Sequence, residues 1–119
     1  KLKIFEPHFR RNFVHINDVV DCIIFAINNF NKVRSNIYNL GLAKANISKI
    51  NLARKIKKIY RPLKIEIAVN RSDIDKRDYI VSNEKLKKRG FQAKISLESG
   101  IKELINIFTL SDEKFINNY

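Results

Sequence analysis

Between Asn17 and Asn28 the sequence places Val19, Val20, Ile23, Ile24 and Ile27 at the spacing of one helical face. An apolar stripe that broad needs another layer against it, so the chain is constrained to a layered fold. Asn17 is the expected N-cap, and Asp18 in the first turn complements the helix dipole. Cys22 lies beside the stripe and reads as a small packed thiol, because no activating neighbour is visible.

The flanking segments alternate with this helix. Lys1–Phe5 and Asn12–Ile16 read as short strands joined by "EPHFRR", in which Pro7 discourages helix. "NIYNLG" (36–41) reads as a strand closed by a glycine. Ser48 caps a second helix with Leu52, Ala53, Ile56, Ile59 and Tyr60 on its apolar side, and Pro62 stops it. "LKIEIAV" (63–69) alternates apolar and polar positions, as a strand with one wet face does. The charged loop "NRSDIDKRD" leads into an expected strand, "YIVS" (79–82). A third helix is predicted over Asn83–Arg89, capped by Ser82 and ended by Gly90. A fourth follows Ser96 with Leu97, Ile101, Leu104, Ile105 and Phe108 on one face, and 110–119 is expected to be a frayed tail. The alternation predicts an α/β class, or α+β for the segment taken alone. Lys1 opens on what reads as a strand already under way, and the 119 residues include no methionine. The expectation is a piece of a longer protein, with 45% hydrophobic residues sufficient for a core.

A net charge of +12 calls for an anionic partner to be weighed. Carboxylates are interspersed among the cations in "EKLKKRGFQAKISLESGIKEL", which reads as solvated faces and not as a nucleic-acid surface. The alternative, a small basic module binding nucleic acid through residues 49–64, needs aromatic residues interleaved with its lysines. Only Tyr60 is there, on the apolar side. A single cysteine permits no internal disulfide and fits a reducing cytoplasm. The longest apolar run, "CIIFAI", is far too short for a membrane span.

No catalytic constellation is expected. Gly41, Gly90 and Gly100 are too scattered for a phosphate loop, and no CxxC or HExxH suggests a metal. His8 and His15, placed across an expected hairpin, have no nucleophile near them and read as loop or packed histidines. Two arginine sites remain: Arg10-Arg11 and Arg77, each immediately before an expected strand. Rigid guanidinium forks held at strand mouths suit bidentate capture of phosphate oxygens. The plainer reading is a surface salt bridge, such as Arg77 with Asp75 or Asp78.

"RRNFVHINDVV" resembles the R(D/N)F(V/I)HVxDV motif of the extended short-chain dehydrogenase/reductase family, the NAD-dependent nucleotide-sugar epimerases and dehydratases. "NIYNLG" is similar to that family's YNxG strand. "RDYIVSNEKLKKRGFQAKISLESGIKELI" resembles its C-terminal signature. The three occur in the family's order and together span nearly the whole chain. The resemblance implies that residues 1–119 are the C-terminal portion of such an enzyme, chiefly its substrate-binding lobe plus an edge helix and strand of its NAD-binding Rossmann-type sheet. It further implies that NAD and the catalytic residues belong to a preceding lobe, with no cofactor held by this chain alone. The partner it implies is a nucleoside-diphosphate sugar, the whole enzyme being a homodimer that oxidises the sugar at C4. Arg11 occupies the position that contacts the diphosphate, Arg77 fits a second contact with Arg71 as an alternative, and Ile4 and Phe5 lie along the base. A degenerate relative kept as an interaction piece shares the same motifs. The chain departs from the family in carrying "EPHFRR" where a GxGxxxR loop is usual, and RN for RD. The bulky Pro-His-Phe loop puts the identity of the base in doubt. Phe13 and Val14 are expected to anchor the strand that holds Arg11.

Overall fold

In the computed structural model, residues 1–68 and 77–110 are described. Helices and short strands alternate, as expected of the α/β class. Strand β1 (Leu2–Ile4) pairs in parallel with β4 (Ile65–Ile67), Leu2 opposite Ile65 and Ile4 opposite Ile67. Parallel neighbours need a crossover, and helix α3 (Lys49–Ile59) lies in the connection between them. From this helix Ile50 and Ala53 pack with Ile4, and Ile65 closes the cluster. Ser48 begins α3, its hydroxyl accepting the Asn51 N–H at 3.4 Å, which satisfies one of the helix's orphan donors.

A second pair is antiparallel. Strand β2 (Arg10–Asn12) runs against β3 (Asn46–Ser48), with Arg11 opposite Ile47. This moves the expected Asn12–Ile16 strand two residues earlier. Phe13 and Val14 follow the strand instead of forming it, and both are half-buried. Helix α1 (Ile16–Asn28) then starts one residue before the expected cap. His15 is the N-cap, its Nδ1 accepting the Asn17 N–H at 3.2 Å. Nor do β1 and β2 form a hairpin, because each takes its partner from further along the chain.

Two expected strands are absent. Residues 36–41 run irregularly, their carbonyls met by side chains: Lys85 donates to Ile37 and Asn83 to Gly41, both at 2.9 Å. Residues 79–82 pair with no strand. Instead the Asn46 carboxamide accepts the Val81 N–H at 2.9 Å and donates to the Val81 carbonyl at 3.0 Å. One amide thus supplies both hydrogen bonds of a missing rung, and the Asn12 carboxamide does the same to Leu42.

Helix α2 (Phe30–Val33) was not foreseen, and α4 (Glu84–Lys87) is shorter than predicted. Asn83, not Ser82, is the N-cap of α4, and it makes no side-chain cap bond. Gly90 ends that segment at φ 105°, a backbone conformation suited to glycine. Helix α5 (Leu97–Leu110) begins where Ser96 accepts the Ser99 N–H at 3.0 Å, and it includes the first residue of the expected tail. The rest of that tail, with Val69, Arg71 and Asp75, lies outside the described residues. No described helix is long and apolar enough to cross a membrane. The broad stripe of α1 is exposed at Ile16, Val20, Ile23, Ile24 and Ile27, and α5 exposes Leu104, Ile107 and Phe108.

Candidate functional site

The register of β2 gives each of its arginines a separate environment. Arg10 turns to Asp78, 68 residues away: Nε donates to Oδ1 at 3.1 Å and Nη2 to Oδ2 at 3.0 Å. The Arg10 backbone N–H also reaches Oδ1, at 2.7 Å. The hydrogen bonds from Arg10, reinforced by its charge, hold the Asp78 carboxyl below the usual carboxylate range and raise the guanidinium in turn. Asp78 is therefore the partner of Arg10 and not of Arg77.

Arg11, half-buried, donates from Nη1 to the carbonyls of Arg77 and of Arg10, the latter at 2.8 Å. Its guanidinium lies 5.1 Å from the centroid of the Tyr79 ring, close enough for a cation–π contact. The Arg11 guanidinium thus meets residues 77–79 through the Arg77 backbone carbonyl and the Tyr79 ring, although Arg11 sits within a strand and not before one. The side chain of Arg77 is exposed.

Ile4 ends β1 and Phe5 follows it, separated from β2 by the loop of residues 6–9. Ile4 is 6% exposed and turns its side chain into the core, its carbonyl accepting the Ala68 N–H at 3.0 Å. Phe5 is half-buried, and with Leu2, Lys3, Lys49 and Leu52 it lines a cavity of about 290 Å³. Lys49 donates to the Phe5 carbonyl at 3.1 Å and lies 5.9 Å from the Phe9 ring centroid. The intervening loop is tied down at three points. Phe9 N–H bonds the Glu6 carbonyl, Ile50 N–H bonds that of Pro7, and Lys49 N–H bonds that of Phe9. Glu6 takes φ 47°, a left-handed conformation that costs a glutamate energy and that the three ties enforce.

The sequence reading missed Asp78, Tyr79 and Lys49 as parts of this site. In sequence Asp78 is only a neighbour of Arg77; a pairing across 68 residues leaves no local signature. Two lysines of the basic α3 face are engaged within the fold, Lys49 on Phe5 and Lys55 on Glu98. Tyr60 lines an apolar groove with Ile56, Ile101 and Leu104.

Among the described residues, none of the three glycines forms a phosphate-binding turn. Gly41 is pressed against Asn12 and Val81, Gly90 closes a helix, and Gly100 lies inside α5 against His15. None stands at a strand-to-helix turn, where backbone amides could receive a pyrophosphate. His15 is occupied in capping α1 and contacts Glu103 Oε2 at 3.1 Å through Nε2. Cys22 is pushed above its ordinary pKa by burial, which disfavours the nucleophilic thiolate.

No family model matches the chain. A stretch of 68 residues, 56% of this chain and 20% of the relative, is 40% identical to ADP-L-glycero-D-manno-heptose-6-epimerase of Brachyspira hyodysenteriae. The fold is similar to that of a GDP-6-OMe-4-keto-L-xylo-heptose reductase from Campylobacter jejuni, with TM-score 0.78 and 23% identity. That match covers 92% of this chain and 34% of the reductase. It is also similar to dTDP-glucose 4,6-dehydratase from Bacillus anthracis in complex with NAD, with TM-score 0.75 and 20% identity, covering 97% and 36% of the two chains. The chain spans about a third of the length of these solved structures. In its motifs and in its fold it resembles the extended short-chain dehydrogenase/reductase family of epimerases, reductases and dehydratases.

Proposed function

We propose that this chain is the substrate-gripping, C-terminal portion of an NAD(P)-dependent enzyme that modifies a nucleoside-diphosphate sugar. The observation that carries the reading is the docking of the Arg11 guanidinium on the Arg77 carbonyl and the Tyr79 ring, where β2 meets residues 77–79. Arg11 is the diphosphate contact, held in place before any ligand arrives, so little side-chain entropy is lost on binding. Arg77 is the second contact. Phe5 lies along the base, while Ile4 fixes β1 beneath it. The nicotinamide, the hydride chemistry at sugar C4 and the dimer contacts belong to the rest of the enzyme, in the cytoplasm. Here the chain's own residues bind and orient.

Titration of the chain with GDP tests the grip. Arg11→Ala removes a charge-assisted contact and is expected to weaken binding by roughly 2–3 kcal/mol, about 30- to 150-fold in Kd. Arg11→Lys recovers only part, because an ammonium cannot reproduce the planar fork. Unaltered affinity in Arg11→Ala would leave this arginine a stacked surface cation and overturn the reading.

A further inference from the structure

Arg10 and Arg11 are neighbours in sequence and do different work. Arg10 spends its fork and its backbone N–H on one carboxylate, so a single side chain, Asp78, receives three hydrogen bonds from one residue. Such a pair fixes both position and orientation, since the bidentate guanidinium sets the carboxylate plane and the backbone bond sets its depth. The segment fixed in this way is the one that supplies Arg77 and Tyr79. One residue before Asp78, the Arg77 carbonyl accepts from Arg11; one residue after, the Tyr79 ring lies under the Arg11 guanidinium. Three residues after, Asn46 holds Val81 by both its backbone groups. The segment is thus pinned at Asp78 and at Val81, with Tyr79 between the pins.

We infer that Asp78 is a positioning residue of the anion site, latching residues 77–79 to β2 so that Arg11 and Arg77 converge on one diphosphate. The inference rests on the function proposed above. It makes a counter-intuitive demand: deleting a negative charge beside an anion site must weaken anion binding. Electrostatics alone predicts the opposite, because Asp78 repels phosphate and partly neutralises the arginines.

The sign of the change in Kd for GDP, measured at constant ionic strength, is therefore the test. Asp78→Ala is expected to weaken GDP binding by about 3- to 30-fold, the range for residues that act through others. Asp78→Asn keeps an acceptor for the Arg10 N–H, and its loss should be the smaller. The Arg10→Ala/Asp78→Ala pair should bind no more weakly than the worse single variant, since each acts through the other. The pair is solvent-exposed, with 45% and 38% of the two side chains accessible, so its removal should leave the chain folded. A folded Asp78→Ala that binds GDP as well as the unaltered chain, or better, overturns the latch. Failure of the unaltered chain to bind GDP overturns the proposed grip and the latch with it.

Discussion

Asp18 offers the strongest quantitative test of how this chain is held together. Its position in the first turn of α1 suggests an interaction with the helix dipole, worth about 0.3–1 kcal/mol at an exposed site. The structure gives it another task. Asp18 is 3% exposed, and its two carboxylate oxygens accept the backbone N–H groups of Lys94 at 2.9 Å and Ile95 at 3.0 Å. The partners lie 76 and 77 residues away and immediately precede Ser96, where α5 begins. The carboxylate therefore ties the start of α1 to the start of α5.

Asp18→Ala leaves both N–H groups without a protein acceptor. Bonds to a charged group contribute about 1.5–3 kcal/mol each, so complete loss would cost roughly 3–6 kcal/mol. The cleft beside Asp18, about 350 Å³ and lined also by Asp21, Phe25 and Gln92, admits water that can recover part of this. The expected loss is about 3 kcal/mol, a large share of the stability of a small domain. Asp18→Asn keeps the shape but offers only one acceptor and turns its amine toward a donor; about 1.5–2.5 kcal/mol is expected. Urea unfolding followed by circular dichroism gives both numbers, provided the m-value is unchanged. A loss below about 1 kcal/mol for Asp18→Ala would return this residue to the dipole role and refute the clamp.

Gly41→Ala places a Cβ 2.8 Å from Asn12 Oδ1 and 3.0 Å from Val81. The Asn12 carboxamide must move and loosen its two bonds to Leu42, so a loss of roughly 1–3 kcal/mol in the same assay is expected, against no change if the contact relaxes freely. Asp78, Glu66 and Glu98 are each held below the ordinary carboxyl range, chiefly by hydrogen bonds from Arg10, Lys1 and Lys55. Their contribution is complete above that range and is lost as pH falls through the lower folded values. The melting temperature should therefore fall slightly as pH is lowered through and below the ordinary carboxyl range, and a flat profile there would contradict the assignment. The exposed stripe of α1 should drive self-association of the chain, and Ile23→Lys with Ile27→Glu should suppress it in sedimentation velocity without lowering helix content. Unchanged association would place the sticky surface elsewhere.

Helices were legible where their cause is local. The periodicity of α1, α3 and α5 and the hydroxyl caps Ser48 and Ser96 act within a turn or two of sequence. Extended segments were legible only where a strand partner existed. Residues 36–41 and 79–82 read as strands, yet their backbone groups are met by Asn83, Lys85 and Asn46, and no pattern in sequence announces that an asparagine will replace a rung. The cap at His15 was missed for a related reason: Asn17 is the better cap by residue type, but β2 ends early enough for the helix to begin sooner. In the site, Arg11 was legible as a cation held by β2. The role of Asp78 was not, since it depends on which residues the fold brings beside Arg10.

The distribution of these contacts explains how a thin core can support the proposed anion site. No large side chain is fully buried among the described residues, and the central cluster is Ile4, Ile50 and Ala53 with Ile65 against it. Hydrophobic burial is non-directional and, at this scale, cannot fix a guanidinium to within a fraction of an ångström. Directional bonds can. Asp18, Asn12, Asn46 and Asp78 each make two or three hydrogen bonds to backbone or guanidinium groups far away in sequence, and together they tie α1 to the start of α5, β2 to Leu42 and Asp78, and β3 to Val81. Loss of one clamp should therefore blur a particular geometry before it unfolds the chain, whereas loss of core area should do the reverse. Substitutions at Asp78 and at Ile50 should separate on that axis, the first moving ligand affinity at nearly constant stability and the second moving stability first.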